Sequence, residues 1–136
     1  MIRNIVILEE ERLSAKRLIR LLNLIRPQIV IDAIFINIAD VHMWFATHVH
    51  PDLLIMNYRL SERMSFEIFN KFKVECAFLF TTVYGELILR LLSDNQVDYL
   101  LKPIDVDELQ TVLEKLDSSS VPLMSVVNKI KLFYST

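Results

Sequence analysis

Glycine is almost absent from this 136-residue chain: Gly85 stands alone, where average usage would supply about nine or ten. That excludes the P-loop and the G-x-G-x-x-G loop, both of which need several glycines to let backbone approach phosphate closely. Cysteine is as scarce. Cys76 by itself can form neither an internal disulfide nor a cysteine-based zinc site, and it fits a reducing cytoplasm, the expected location. Positive charge is not in excess: 15 Lys and Arg against 17 Asp and Glu give a net charge of -2 and a pI near 5.9. Direct binding of this segment to nucleic acid is therefore not expected. Long apolar runs are missing too. The longest stretches without Asp, Glu, Lys or Arg, 41–51 and 118–128, are 11 residues each, short of the roughly 18 that cross a bilayer, and no membrane partner is expected.

What is present suffices for one folded domain. Apolar residues make up 53% and charged residues 24% of the chain, enough to bury a core at this length. Two periodicities alternate along it. Ile5 to Leu8 is a continuous apolar run, the pattern of a strand buried on both faces, and it stops at Glu9-Glu10-Glu11. Leu13, Leu18, Leu21, Leu22 and Ile25 form a helical stripe that ends before Pro27. The alternation continues with strands over 29–35, 53–56, 77–81 and 97–101, and helices over 38–49, 66–72, 86–93 and 106–116. Five such units predict an α/β fold, a five-stranded parallel sheet with helices on both faces and right-handed crossovers. The common open order is 2-1-3-4-5, with the functional crevice at the carboxyl ends of the strands. After this 1–117 domain, Asp117-Ser118-Ser119-Ser120 reads as a hinge. In 118–136, Leu123, Val126, Val127, Ile130, Phe133 and Tyr134 space as a C-terminal amphipathic helix. The chain stops at Thr136 within an apolar stretch, which is compatible with truncation of a longer protein and does not decide it.

The side chains at the carboxyl ends of the expected strands are Glu9 and Glu10, then Asn57, then Thr81 and Thr82, then Lys102. They converge on one crevice. Lys102 leaves a buried strand and is held by Pro103, which aims its ammonium back over the sheet edge. With these five elements in order, residues 2–116 resemble the receiver domain of bacterial two-component response regulators. Phe80-Thr81-Thr82-Val83-Tyr84 and Val97-Asp98-Tyr99-Leu100-Leu101-Lys102-Pro103-Ile104-Asp105 are most similar to receivers attached to LytTR-type DNA-binding domains. The resemblance implies a flavodoxin-like topology and a role in signal transduction rather than enzyme catalysis. It also implies an acid pair for Mg²⁺ at Glu9 and Glu10, the phosphoacceptor position at Asn57, phosphoryl-oxygen contacts from Thr82 and Lys102, and a switch aromatic at Tyr99.

This sequence departs from that pattern where the chemistry is done. A carboxamide has no anionic oxygen to attack phosphorus, so no acyl phosphate forms at Asn57. Glu-Glu replaces the usual aspartates, adding a methylene to each ligand around an ion that demands tight octahedral geometry. Glu9, Glu10, Asn57 and Lys102 sum to one negative charge instead of two; one charge about 4 Å from a cation is worth roughly 4 kcal/mol at an effective dielectric of 20, before solvation offsets much of it. Mg²⁺ binding is expected to be weak or absent, and no other cofactor is implied. The amide oxygen of Asn57 is free to bond Lys102. Ser61 and Ser65 stand where the loop after the third strand usually has Pro and Gly.

Plainer readings compete for several residues. Glu9-Glu10-Glu11 could be first-turn carboxylates at the positive end of a helix dipole; Lys102-Pro103 and Thr82 in register favour the vestigial site. Tyr99 reads more readily as a half-buried core aromatic than as a switch. His42, His48 and His50 read as surface histidines, and Met56 and Met64 as space-fillers beside the crevice. The apolar set Leu87, Ile88, Leu89, Leu91 and Leu92 is too broad for one inward helix face, which suggests a homodimer or output surface over 84–116. The reading is a phosphorylation-independent interaction and dimerisation module, attached to a transcriptional output domain. One rival keeps Mg²⁺ and a histidine kinase partner, with a displaced acceptor such as Glu62. Another is a flavin or nucleotide protein on the same topology, which the missing phosphate loop disfavours.

Overall fold

The structure, a computed structural model, describes residues 1–57, 76–83, 90 and 98–118. Its elements are β1 (Asn4–Leu8), α1 (Arg12–Ile25), β2 (Val30–Phe35), α2 (Ile38–Thr47), β3 (Leu53–Asn57), β4 (Ala77–Thr82), β5 (Tyr99–Leu101) and α3 (Val106–Ser118). The five strands form one sheet in the order β2-β1-β3-β4-β5, and all neighbours are parallel. The expected architecture is borne out among these residues. The expected helices over 66–72 and 118–136 lie outside the described residues, as does that over 86–93 except for Arg90.

The continuous apolar runs are strands because both faces of the sheet are covered. Ile5, Val6, Ile7 and Leu8 are all buried, as are Leu53 to Met56 and Ala77 to Phe80, which is what parallel strands between helix layers require. Alternation along each strand sorts the side chains into two clusters. Ile5, Ile7, Leu53, Ile55 and Leu79 meet Leu18, Leu21 and Leu22 of α1 and Leu109, Leu113 and Leu116 of α3. Val6, Leu8, Leu54, Met56, Phe78 and Phe80 meet Val41 and Phe45 of α2. Met56 is thus a core residue; Met64 lies outside the described residues.

The helix ends follow local chemistry. Asn37 caps α2 by accepting the Asp40 N–H at 2.9 Å, and α1 stops at Arg26, before Pro27. Glu11 is the N-cap of α1 and none of the three glutamates after β1 lies in its first turn, so they are not first-turn carboxylates, although Glu11 stands at the positive end of the helix dipole. Other details also differ from the periodicity. Leu13, counted on the apolar stripe, points to solvent, because it stands half a turn from the Leu18, Leu21 and Leu22 face. α2 ends at Thr47, leaving Val49 exposed. Of the histidines only His48 is exposed; His42 and His50 are half-buried, His50 by setting its ring edge against Phe45, with centroids 5.0 Å apart.

Asp117 and Ser118, expected in a hinge, are the last turn of α3. Arg26 donates two hydrogen bonds to the Asp117 carboxylate, at 2.8 and 2.5 Å, and the Ile2 N–H adds a third at 2.8 Å. The Arg26 bond holds the Asp117 carboxyl well below its usual range, at about 2, and raises the guanidinium in return. This clasp joins the start of the chain to the ends of α1 and α3.

Candidate functional site

Strand register brings the chemical side chains together. Leu8 stands beside Met56, Asn57 beside Thr81, and Thr82 beside Leu101, so the residues at or just past these strand ends share one edge. Two backbone bonds continue the ladder there: Glu9 N–H to the Phe35 carbonyl at 2.9 Å, and Lys102 N–H to the Thr82 carbonyl at 2.8 Å. The peptide between Lys102 and Pro103 is cis. Among the described residues, the buried polar side chains are Glu9, Asn57, Thr81 and Thr82, and all four lie on this edge. A core that elsewhere excludes polar groups admits them here, the usual mark of a site.

The pairing inside the cleft is specific. Lys102 Nζ donates to Glu9 Oε1, and the Glu11 N–H donates to Glu9 Oε2 at 3.1 Å. Asn57 Nδ2 donates to Glu10 Oε1 at 2.5 Å. An amide can present only its nitrogen to a carboxylate, so this bond sets the orientation of the Asn57 side chain. The alternative of a bond from Lys102 to the Asn57 oxygen is not taken: the ammonium pairs with the carboxylate of Glu9, a stronger acceptor than an amide oxygen. Thr82 turns its hydroxyl to the Val83 carbonyl at 3.2 Å. Tyr99 is half-buried on β5 and packs against the cluster on the α2 side. Glu62, Ser61 and Ser65 lie outside the described residues.

One neighbour of the cleft was not singled out by the sequence. Arg17 Nη2 donates to the Ile104 carbonyl at 2.7 Å, and a groove of about 350 Å³ runs between Leu13, Ser14, Arg17, Val83 and Lys102. The signal available was the composition of α1, which has four basic residues and no acidic one.

No protein-family model matches the chain. It is 30% identical over 84 residues to the sensory transduction protein LytT of Bacillus cereus, an alignment covering 60% of this chain and 34% of that protein. To LytT of Enterococcus faecalis it is 27% identical over 115 residues, 82% of this chain and 47% of that protein. The chain thus spans half the length of these relatives or less. In three dimensions it matches the response regulatory domain of MrkE from Klebsiella pneumoniae with a TM-score of 0.66 at 24% identity, over 85% of this chain and 95% of that one. A response regulator from Thermotoga maritima matches with a TM-score of 0.65 at 18% identity, over 88% of this chain and 100% of that one. The chain has the fold of response-regulator receiver domains and is similar in sequence to the LytT response regulators.

The resemblance to receivers implies Mg²⁺ at this edge, and the donors present here do not fit it. Both Glu9 oxygens accept hydrogen bonds, from Lys102 and from the Glu11 amide. Glu10 Oε1 is taken by Asn57, which turns NH₂, a donor without a lone pair for a cation, toward the acid pair. An octahedral cage of oxygens at short range needs these same lone pairs. Among the described residues no cluster of three or more His, Cys, Asp or Glu is close enough to hold a metal. Nor is any helix among them long and apolar enough to cross a membrane.

Proposed function

We propose that this receiver is a pseudo-receiver in two-component signalling, a cytoplasmic module that acts by binding proteins and does not depend on phosphorylation. The observation that carries the reading is the amide of Asn57 donating to Glu10 while Lys102 is held by Glu9. At the acceptor position there is no carboxylate to form the mixed anhydride, and the lysine that would meet a phosphoryl oxygen already has its anion. Asn57, Thr82 and Lys102 keep their places without the reaction, and Glu9 and Glu10 serve as hydrogen-bonded structure rather than as metal ligands. Tyr99 then has no phosphorylation-linked rotamer to follow.

Such a domain signals through its surfaces. The partners proposed are an attached transcriptional output domain and a second copy of the chain, through the face spanning 84–116. The described part of that face, 90 and 98–116, exposes no large apolar side chain; the leucines expected near 87–92 lie outside the described residues.

The test is intact mass after incubation with acetyl phosphate and Mg²⁺, alongside Asn57→Asp. The wild-type chain is expected to stay unmodified. A wild-type adduct of one phosphoryl group, mapped to any residue of the cleft, would refute the pseudo-receiver reading.

A further inference from the structure

α1 and α3 lie side by side on one face of the sheet, joined over a common apolar cluster and by the Arg26 to Asp117 ion pair. Their solvent sides carry opposite charge. α1 has Arg12, Lys16, Arg17 and Arg20 and no acid. Arg12, Lys16 and Arg20, four residues apart, form one exposed row. No ion pair engages these three among the described residues. Beside the row stand Leu13 and Leu24, 74% and 70% exposed. α3 exposes Asp107, Glu108 and Glu114 against the single cation Lys115, and Lys115 is engaged by Asp98.

Four like charges on one helix of a chain whose net charge is -2 mark a surface shaped for an anionic partner, and the adjacent helix supplies one. The two helices follow strands in a parallel sheet and run in the same direction. A two-fold axis lying between them and parallel to both places α1 of one copy on α3 of the other, twice, in an isologous contact. The perpendicular two-fold axis sets α1 on α1 and α3 on α3, which like charges oppose. We infer that the receiver self-associates through this face, the basic row of α1 docking on the acidic side of α3 in a second copy, with Leu13 and Leu24 covered in the contact. The inference rests on the self-association proposed above and places its contact on α3, within the 84–116 face, together with α1, outside it.

The experiment is sedimentation velocity of the 136-residue chain and two charge-reversed variants, Arg12→Glu/Lys16→Glu/Arg20→Glu and Asp107→Lys/Glu108→Lys/Glu114→Lys, each checked for folding by circular dichroism. The wild type should dimerise at low salt and lose affinity about tenfold or more as ionic strength rises from about 0.05 to 0.5 M. Each variant alone sets like charge on like and should be monomeric; mixed in equal amounts they should form a heterodimer. A wild type that stays monomeric at low salt overturns both this assignment and self-association, leaving the α1 row to an acidic protein. A salt-insensitive dimer that survives both reversals overturns only the assignment and places the dimer contact away from these charged rows.

Discussion

Asn57→Asp is the change that bears most directly on the cleft. The wild-type amide nitrogen lies 2.5 Å from Glu10 Oε1. The variant deletes a charge-assisted hydrogen bond, about 1.5–3 kcal/mol, and sets two carboxylates face to face. At about 4 Å and an effective dielectric near 20 their repulsion is about 4 kcal/mol. Movement of Lys102 toward the new charge, and water entering the cleft, offset a good part of this, so a net loss of about 2–4 kcal/mol is expected near neutral pH. In urea unfolding followed by circular dichroism, that corresponds to a midpoint lower by about 1–2 M. The variant also turns a donor into a ligand. Millimolar Mg²⁺ should therefore recover much of the loss by binding the folded state alone, while the wild-type midpoint stays where it is. If Asn57→Asp is as stable as the wild type in EDTA, the Asn57 to Glu10 bond does not exist as described. An equal response of the wild type to Mg²⁺ would contradict the donor assignment.

Other outcomes follow from the same contacts. Lys102→Met strands the Glu9 carboxylate, which is 4% exposed, and should cost about 3–5 kcal/mol, whereas adding Glu9→Gln should restore most of it; chemical denaturation of the single and double variants measures both. The Asp117 carboxyl falls from 3.8 to about 2 on folding because Arg26 hydrogen-bonds it. Its stabilisation is thus complete above about pH 4 and is lost as pH drops toward 2, since the unfolded chain then binds the extra proton. With the side chain 21% exposed, screening leaves about 1–2 kcal/mol. Asp117→Asn should remove that share of the acid sensitivity, read as a shallower fall in urea midpoint between about pH 4 and 2. Burial pushes the Cys76 thiol up to about 12, so the native protein should react with a thiol reagent near neutral pH only after urea opens the core; rapid labelling of the folded protein would contradict the packing around β4.

The strands and their order of appearance were legible because fully buried parallel strands write themselves as unbroken apolar runs, from Ile5 to Leu8 and again from Leu53 to Met56. Helix faces were legible wherever leucines recur at three and four, and Leu109, Leu113 and Leu116 are buried as their spacing required. Leu13 shows the limit of that argument: one apolar residue at a helix start satisfies a period without lying on the face that packs. That Glu9, Glu10, Asn57, Thr82 and Lys102 would share one edge was legible as well, since each follows or ends a strand, and parallel strands bring their carboxyl ends together.

Periodicity determines, without any coordinates, an α/β fold with a parallel sheet, and the resemblance to receivers sets an amide rather than a carboxylate at the acceptor position; burial periodicity and the chemistry of an amide are local properties. Which of two acids takes the lysine, which atom of Asn57 faces the other, and that a basic and an acidic helix share one exposed face were decided only by the tertiary structure. Those are contests between partners 47 and 93 residues apart, and charge, reach and burial settle them in three dimensions, where sequence spacing carries no information.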